Sequence, residues 1–298
     1  MTHQTRMGVV LAEEHPLPTR RRRVGHVVLA AALVALLVGA YAGVRGMLTS
    51  FGGNRCEASA MNTSVRFTPE QMDNAATITA IGVHRGLPAR AATIALATAI
   101  QESKLRNLDY GDRDSVGLFQ QRPSQGWGTT AQLMDPVYAT NAFYDALVKI
   151  DGYQSMEITK VAQAVQRSAA PLAYAEHETE GRVLASNLAG YNPGHLGCRL
   201  GPADAPGDTT EIQRQLQEEW GLTAAHQGAT LVVTAPTGTR AWAIGSWAVA
   251  KAQATNVTAV RIGSSTWQRS RNLDASSWHP MPGEQPAAGA TDVVITLN

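Results

Sequence analysis

The chain of 298 residues has almost no net charge, because 25 basic and 24 acidic side chains leave only +1 at neutral pH. A balanced charge gives nucleic acid no overall electrostatic attraction, so we expect no nucleic-acid partner. Internal repeats and low-complexity tracts are also missing from the sequence. Their absence excludes solenoid and low-complexity architectures.

Several familiar catalytic motifs are absent as well. The run His177-Glu178-Thr179-Glu180 lacks the second histidine of a zinc protease, and no other histidines and cysteines have metal-site spacing. No serine lies in a nucleophile-elbow motif, and no glycine-rich phosphate loop is present. We therefore expect neither a metal ion nor a cofactor.

Cysteine is scarce, and the 2 cysteines are Cys56 and Cys198. Neither has a catalytic setting, because no basic residue beside them pairs with a second obvious base. Outside the reducing cytosol two such cysteines usually pair, and a bridge across so long a loop could add roughly 4 kcal/mol. The alternative is two unrelated buried thiols.

A run of arginines at residues 20–23 directly precedes an apolar stretch at residues 24–44. This stretch matches the roughly 20 residues that a membrane-spanning helix needs. A cleaved signal peptide and a buried helix are alternatives, but the length and the lack of a clear cleavage site before Arg45 favour an uncleaved anchor. The arginines then place the N terminus in the cytoplasm and the bulk of the chain outside. One span is too few for a transporter.

The segment that follows the anchor has a helical pattern with little strand signal. Thr68 and Pro69 begin one helix, which ends at Gly86. The next helix carries no charge over residues 91–101, as expected of a helix that is buried on all sides. Further helices are predicted at residues 135–150, 159–168, 174–188 and 210–220.

The pattern changes in the last part of the chain. Apolar segments near Leu231, near Val260 and at the C terminus predict strands, with one helix at residues 241–255 between the first and the last of them. The tryptophans of this part fit a small core better than a ligand platform. We therefore expect a binding or scaffolding module, with glycan or a partner protein as possible ligands.

Glu102 is the first candidate for chemistry, because it lies at the end of the uncharged helix. We expect its carboxyl group to emerge from an apolar wall, where loss of solvent and the helix dipole both favour the protonated acid. Such an acid can protonate the leaving oxygen of a glycosidic bond. The alternative is a hydrated glutamate at a frayed helix end, paired with Arg106.

The motifs around this glutamate resemble those of the lysozyme-like lytic transglycosylases. The pair Glu102-Ser103 is followed, after a polar loop, by Gly117-Leu118-Phe119-Gln120. In that family the acid lies in a Glu-Ser pair, and a Gly-Leu-Met-Gln segment lines the sugar cleft. The longer runs QESKLRNLDYGDRDSVGLFQQRPSQGWGT and AQAVQRSAAPLAYAEHE are similar to a group of actinobacterial membrane-anchored lysozyme-like proteins of poorly defined role.

The resemblance implies cleavage of peptidoglycan glycan strands at the outer face of the cytoplasmic membrane. Glu102 matches the general acid and base, Ser103 the hydroxyl that orients it, and Gln120 the amide that contacts substrate. An aromatic ring such as Trp127 could stack on a sugar, or else cover the helices as a lid. The candidates for substrate binding are Ser103, Gln120, Gln121, Trp127, Gln166, Arg167 and Tyr174.

The sequence departs from the family at one important segment. The Ala-Tyr-Asn-Ala-Gly run, whose tyrosine approaches the acid, is absent at the expected distance. Gln166 and Arg167 stand in its place, and Tyr174 follows later in the chain. This departure favours the alternative function, an inactive lysozyme-like protein that binds the wall or organises division or other cell-wall proteins.

The aspartates of the loop bear on the type of reaction. A hydrolase needs a second carboxylate, whereas a lytic transglycosylase needs one acid because the hydroxyl of the substrate attacks. Asp109, Asp112 and Asp114 are the candidates for that second carboxylate, and their spacing is not that of a calcium loop.

The predicted fold is mainly α, with a lysozyme-like helical domain after an N-terminal transmembrane helix and a small α/β domain at the end. Its parts are a cytoplasmic tail (1–23), the anchor (24–45), the helical domain (56–200), a linker with a short helix (201–228) and the α/β domain (229–298).

Overall fold

The computed structural model describes Val34 and residues 37–41, 53–166, 173–281 and 290–298. The predicted anchor therefore lies mostly outside the described residues, apart from Val34 and residues 37–41, which are helical and exposed. Among the described residues, no helix is both long enough and apolar enough to cross a membrane. Residues Gly52–Asn298 form one compact unit.

The prediction of a mainly α fold is wrong. About 48% of the described residues are helical and 19% are in strands, which form two sheets with antiparallel pairing throughout. The C-terminal part, predicted as a small α/β domain, pairs its strands antiparallel throughout. The missed strands are short and carry few large apolar side chains, so the local sequence gives little sign of them.

The first sheet holds β1 (Arg55–Ala60), β2 (Thr63–Phe67) and β3 (Leu196–Arg199) in the order β2-β1-β3. Both residues of the β1–β2 turn have positive φ, as a tight hairpin requires. The predicted disulfide is confirmed, since Cys56 and Cys198 lie opposite each other on β1 and β3 and are bonded. The bridge spans 142 positions of sequence and ties the start of the helical segment to its end.

Two long helices follow the first sheet. Helix α1 (Pro69–His84) begins as predicted, with Thr68 and Gln71 forming a reciprocal capping box. Helix α2 (Ala89–Ser103) is buried at every position from Ala91 to Ile100, so the uncharged run does lie in the core.

Shorter helices complete the surroundings of α2. It packs against α1, α4, α5, α6 and the 3-10 helix that precedes α6. The bounds are α3 (Thr130–Leu133), α4 (Pro136–Leu147), α5 (Ile158–Gln166) and α6 (Glu178–Leu188), with 3-10 helices at Pro123–Gln125 and Ala173–His177.

The second sheet has six strands in the order β4-β5-β9-β6-β7-β8. The helix α8 (Gly238–Thr255) packs on β6 and β9 of this sheet and also on α1. The sequence segments on either side of residues 201–228 therefore share one hydrophobic core. The remaining bounds are α7 (Thr209–Trp220), β4 (Ala225–Gln227), β5 (Thr230–Thr234), β6 (Val257–Ile262), β7 (Ser265–Gln268), a 3-10 helix (Leu273–Ser276), β8 (His279–Pro280) and β9 (Asp292–Leu297).

A buried polar network joins α1, α7 and α8. The ammonium of Lys251 lies 2.6 Å from Asp73 Oδ1, 2.8 Å from Glu219 Oε1 and 2.6 Å from Thr77 Oγ1. The indole of Trp247 donates to the other oxygen of Glu219 at 2.7 Å. Burial alone would lower the pKa of Lys251, but the two carboxylates outweigh it and raise that pKa above its usual range. The ammonium therefore stays charged in the interior.

We expect Lys251→Met to lower the free energy of unfolding by about 3–5 kcal/mol, because the substitution leaves buried carboxylates without their cation. Denaturant titration of the full-length protein measures this loss. Lys160→Met is the matched control, since Lys160 forms an exposed pair with Glu157, and its effect should stay within about 0.5 kcal/mol. Equal effects of both substitutions would contradict a structural role for the network.

Candidate active site

Glu102 is the penultimate residue of α2, and its side chain is half-buried. The hydroxyl of Tyr174 donates a hydrogen bond to Oε1 of Glu102 at 2.6 Å. Among the described residues, Oε2 has no hydrogen-bond partner and the carboxylate forms no ion pair, so the expected alternative pairing with Arg106 is not seen. One oxygen is thus fixed by the protein, and the other is left for a ligand.

The chain turns sharply just after the glutamate. Lys104 and Leu105 both have positive φ, at 57° and 58°. Their amides donate back to the carbonyls of Ile100 and Ala99, which closes the C-terminal end of α2. This reversal sends the following loop back across the helix end that carries Glu102.

Tyr174 comes from the 3-10 helix Ala173–His177, and its ring is almost completely buried. His177, at the end of the same short helix, contacts Glu180 at 2.8 Å through Nδ1 and Gln101 at 3.1 Å through Nε2. The 3-10 helix is therefore fastened to the residue that precedes Glu102. Sequence reasoning placed Tyr174 among the substrate-binding residues, but it missed His177 and Gln101, which only the fold brings together.

Ser103 fixes the loop instead of orienting the acid. Its buried hydroxyl lies 2.7 Å from the carbonyl oxygen of Leu118 and 3.1 Å from that of Ala99. Gly117 has φ of +81°, and a Cβ at this position would collide with the carbonyl of Leu133. Glycine is required here both for the backbone conformation and for the close approach.

The predicted glutamines have different environments. Gln120 is half-exposed, and its amide donates to the carbonyls of Tyr110 and Gly117 at 3.3 and 3.2 Å. Gln121 is only 2% exposed and donates to a carbonyl of α4 at 3.3 Å, which leaves it out of reach of a substrate.

Gln166 holds the same loop from the other side. Its amide donates to the carbonyl of Phe119 at 2.6 Å, and the Phe119 ring stacks on Phe143 with centroids 4.6 Å apart. The acceptors of Ser103 and Gln166 are backbone carbonyls. Every residue has such a carbonyl, so residue types in the sequence could not identify these contacts. Arg167, the neighbouring prediction, lies outside the described residues.

Trp127 is partly buried against the core and borders a cavity of about 350 Å³. The other lining residues include Gln125, Lys149, Ile150 and Val165. A flat ring beside polar groups suits a sugar. Glu102 is not among the lining residues, so the structure does not join Trp127 to the acid in this cavity.

The three loop aspartates differ in their contacts. Asp114 accepts from Arg122 Nε at 2.8 Å and from the amide and hydroxyl of Ser124 at 2.7 and 2.9 Å. These donors hold the pKa of Asp114 well below its usual range. Asp109 and Asp112 are exposed. Within the described ranges, no group of three or more histidine, cysteine or acidic side chains could hold a metal ion.

We expect Ser103→Ala to destabilise the protein by about 1–3 kcal/mol, because the buried carbonyl of Leu118 loses its donor. Hydrogen exchange should also accelerate at the amide of Gln121, which bonds to Val116 in this loop. Denaturant titration and amide exchange measure the two effects. Ser155→Ala removes an exposed hydroxyl that bonds to Gly152 and should change neither. Unchanged exchange in Ser103→Ala would rule out a positioning role.

No protein-family model matches the chain, and no curated protein is significantly similar to it. The likeness to lytic transglycosylases therefore remains a prediction from the motifs that begin at Glu102 and Gly117. The functional interpretation rests on the geometry of these side chains.

Proposed function

We propose that the protein cleaves the glycan strands of bacterial peptidoglycan, with Glu102 as the general acid and base. The observation that carries the proposal is the asymmetry of the Glu102 carboxyl group. One of its oxygens accepts from the buried hydroxyl of Tyr174, whereas the other has no partner within the described residues. A carboxyl group held in this way at the end of a core helix is ready to exchange a proton with a ligand.

The chemistry requires one proton to move twice. Glu102 donates its proton to the oxygen between N-acetylmuramic acid and N-acetylglucosamine while the bond from that oxygen to C1 of the muramyl ring breaks. The 6-hydroxyl of the same ring then attacks C1, and its proton passes to Glu102. The product is a 1,6-anhydro end, no water is consumed, and the carboxyl group returns to its starting state.

The engaged state of Asp114 supports this single-acid route. A hydrolase needs a second carboxylate that either activates water or captures the sugar. Asp114 has its oxygens occupied by Arg122 and Ser124, and it serves to hold the loop. We therefore favour a lytic transglycosylase over a muramidase-type hydrolase.

The surroundings of the acid support a fixed geometry. Tyr174 restrains the carboxyl plane, and Ser103 and Gln166 hold the carbonyls of Leu118 and Phe119. A site whose groups are held before the substrate arrives loses less entropy when it reaches the transition state. Gln120, half-exposed on the same loop, is our candidate for contact with the N-acetyl groups.

The disulfide supports a location where the substrate is found. A bond between Cys56 and Cys198 persists in an oxidising compartment, outside the reducing cytosol. We therefore propose that the protein acts on the extracytoplasmic side of the cytoplasmic membrane, with the glycan strands as its partner.

We expect Glu102→Gln to abolish glycan cleavage, with a rate at least about 100-fold lower, because an amide cannot act as an acid. Purified sacculi are incubated with the full-length protein, and mass spectrometry identifies the released muropeptides. Anhydro-muropeptides that disappear in the variant identify a transglycosylase, whereas ordinary reducing ends identify a hydrolase. The matched control is Glu176→Gln, an exposed glutamate of the neighbouring 3-10 helix. Intact sacculi after incubation with folded wild-type protein would overturn the proposal and leave a wall-binding scaffold.

We expect Tyr174→Phe to lower kcat by about 10- to 100-fold, since a hydrogen bond to a carboxylate contributes about 1.5–3 kcal/mol. KM should change little, because the Tyr174 hydroxyl bonds to Glu102 and is not offered to the substrate. Steady-state turnover of soluble glycan strands separates the two constants. Tyr110→Phe alters a tyrosine that is 69% exposed and should leave both unchanged. A rise in KM at constant kcat would assign Tyr174 to substrate binding.

A further inference from the structure

A cavity of about 250 Å³ lies at the opposite end of α2 from Glu102. Arg90, in the first turn of the helix, is one of its lining residues. At 1.5 Å per residue, the twelve positions from Arg90 to Glu102 correspond to about 18 Å along the helix axis. The cavity is therefore distinct from the site of the proposed glycan chemistry.

The charge of this cavity is positive. Two arginines line it, Arg90 and Arg182, and Arg182 forms an ion pair with Glu178. Arg90 donates through Nη2 to the carbonyl of Met156, but its Nε is buried and has no acceptor within the described residues. Within the described ranges, no carboxylate forms an ion pair with Arg90.

The helix end adds to this charge. Pro88 occupies the N-cap of α2 and provides no side-chain hydrogen bond. The first amides of a helix and its dipole together favour a negative group nearby. Two independent features, an unbalanced guanidinium and an uncapped helix end, therefore converge on one concave surface.

The rest of the lining is largely apolar. Ile158 is buried, and Met61 and Tyr191 are each 66% exposed although both are large hydrophobic side chains. Ser186 and Thr93 also line the cavity, and the hydroxyl of Ser186 can donate to a carbonyl oxygen. A volume of about 250 Å³ equals that of about eight water molecules at about 30 Å³ each, which suits a group of two small residues.

We propose that this cavity binds the free C-terminal carboxylate of a short aliphatic peptide. A guanidinium binds a carboxylate through parallel hydrogen bonds, and a single unbalanced charge matches a monoanion better than a doubly charged phosphate. Met61 and Tyr191 contact the aliphatic side chains, and Ser186 contacts the peptide carbonyl. Such peptides come from two sources, a cell-wall stem ending in a D-amino acid and a protein tail ending in an L-amino acid.

Calorimetric titration of the full-length protein with acetyl-Ala-Ala tests the inference, using the all-L and all-D peptides and the C-terminal amide of each. We expect at least one carboxylate form to bind and its amide to bind at least about tenfold more weakly, since the amide carries no charge. Affinity for the carboxylate should also fall as the ionic strength rises. A preference for the D peptide identifies the wall as the source, and a preference for the L peptide identifies a protein tail.

Arg90→Met should weaken the binding of the preferred peptide at least about tenfold. Arg182→Met is a second variant in the same cavity, and it should also weaken binding because it leaves Glu178 unpaired there. Arg66→Met is the control, since the exposed side chain of Arg66 pairs with Glu57 away from the cavity lining, and it should have no effect. Thermal unfolding confirms that each variant is folded.

Equal affinities for the carboxylate and the amide would overturn the inference. Unchanged peptide binding in both folded cavity variants would also overturn it, and so would no binding of any of the peptides. The outcome is independent of the glycan proposal. If the protein cleaves sacculi but binds no peptide, only the proposed peptide site is contradicted. If it binds peptide but cleaves no sacculi, only the proposed enzymatic function is contradicted.

Discussion

The burial of α2 is the constraint on which the rest of the structure depends. Ten consecutive residues, Ala91–Ile100, are buried, so the helix cannot rotate or slide without exposing apolar surface or opening cavities. Helices α1, α4, α5 and α6 surround it. Because both ends of this helix emerge from the same packed interior, the position of Glu102 is fixed by hydrophobic contacts that lie far from any chemistry.

Polar contacts then convert the fixed helix end into a shaped site. Ser103 points inward to the carbonyl of Leu118, and Glu102, one position earlier, accepts from Tyr174. Neighbouring positions of a helix are about 100° apart, so one can hold the loop while the other faces it. Gln166 adds a second attachment at Phe119. The acid and the loop are therefore positioned by different residues and can be perturbed separately.

Features encoded by neighbouring residues were predictable from the sequence, and those encoded by remote residues were not. Thr68 and Pro69 identified the start of α1, because a helix cap is encoded by neighbouring residues. The absence of charge identified α2, because burial of a whole helix requires an uncharged run of sequence. The strand β1 was missed although RCEASA alternates polar and apolar residues, because its apolar side chains are small and alanine favours strands little. The strand β3 was missed because it joins the sheet only through the remote pairing of Cys198 with Cys56. Gln121 was placed with the substrate-binding residues for the same reason, since its burial depends on α4.

The two ends of α2 also differ in their electrostatics, and this difference connects the two proposed sites. The C-terminal end carries the negative end of the helix dipole, and Glu102 lies in this last turn. The N-terminal end carries the positive end, where Arg90 and the uncapped amides favour an anion. The dipole effect falls off within one turn of the helix, so the two proposed sites do not influence each other electrostatically. The helix between them fixes their separation. A single buried element can thus present an acid at one end and a carboxylate receptor at the other, with a constant spacing between them.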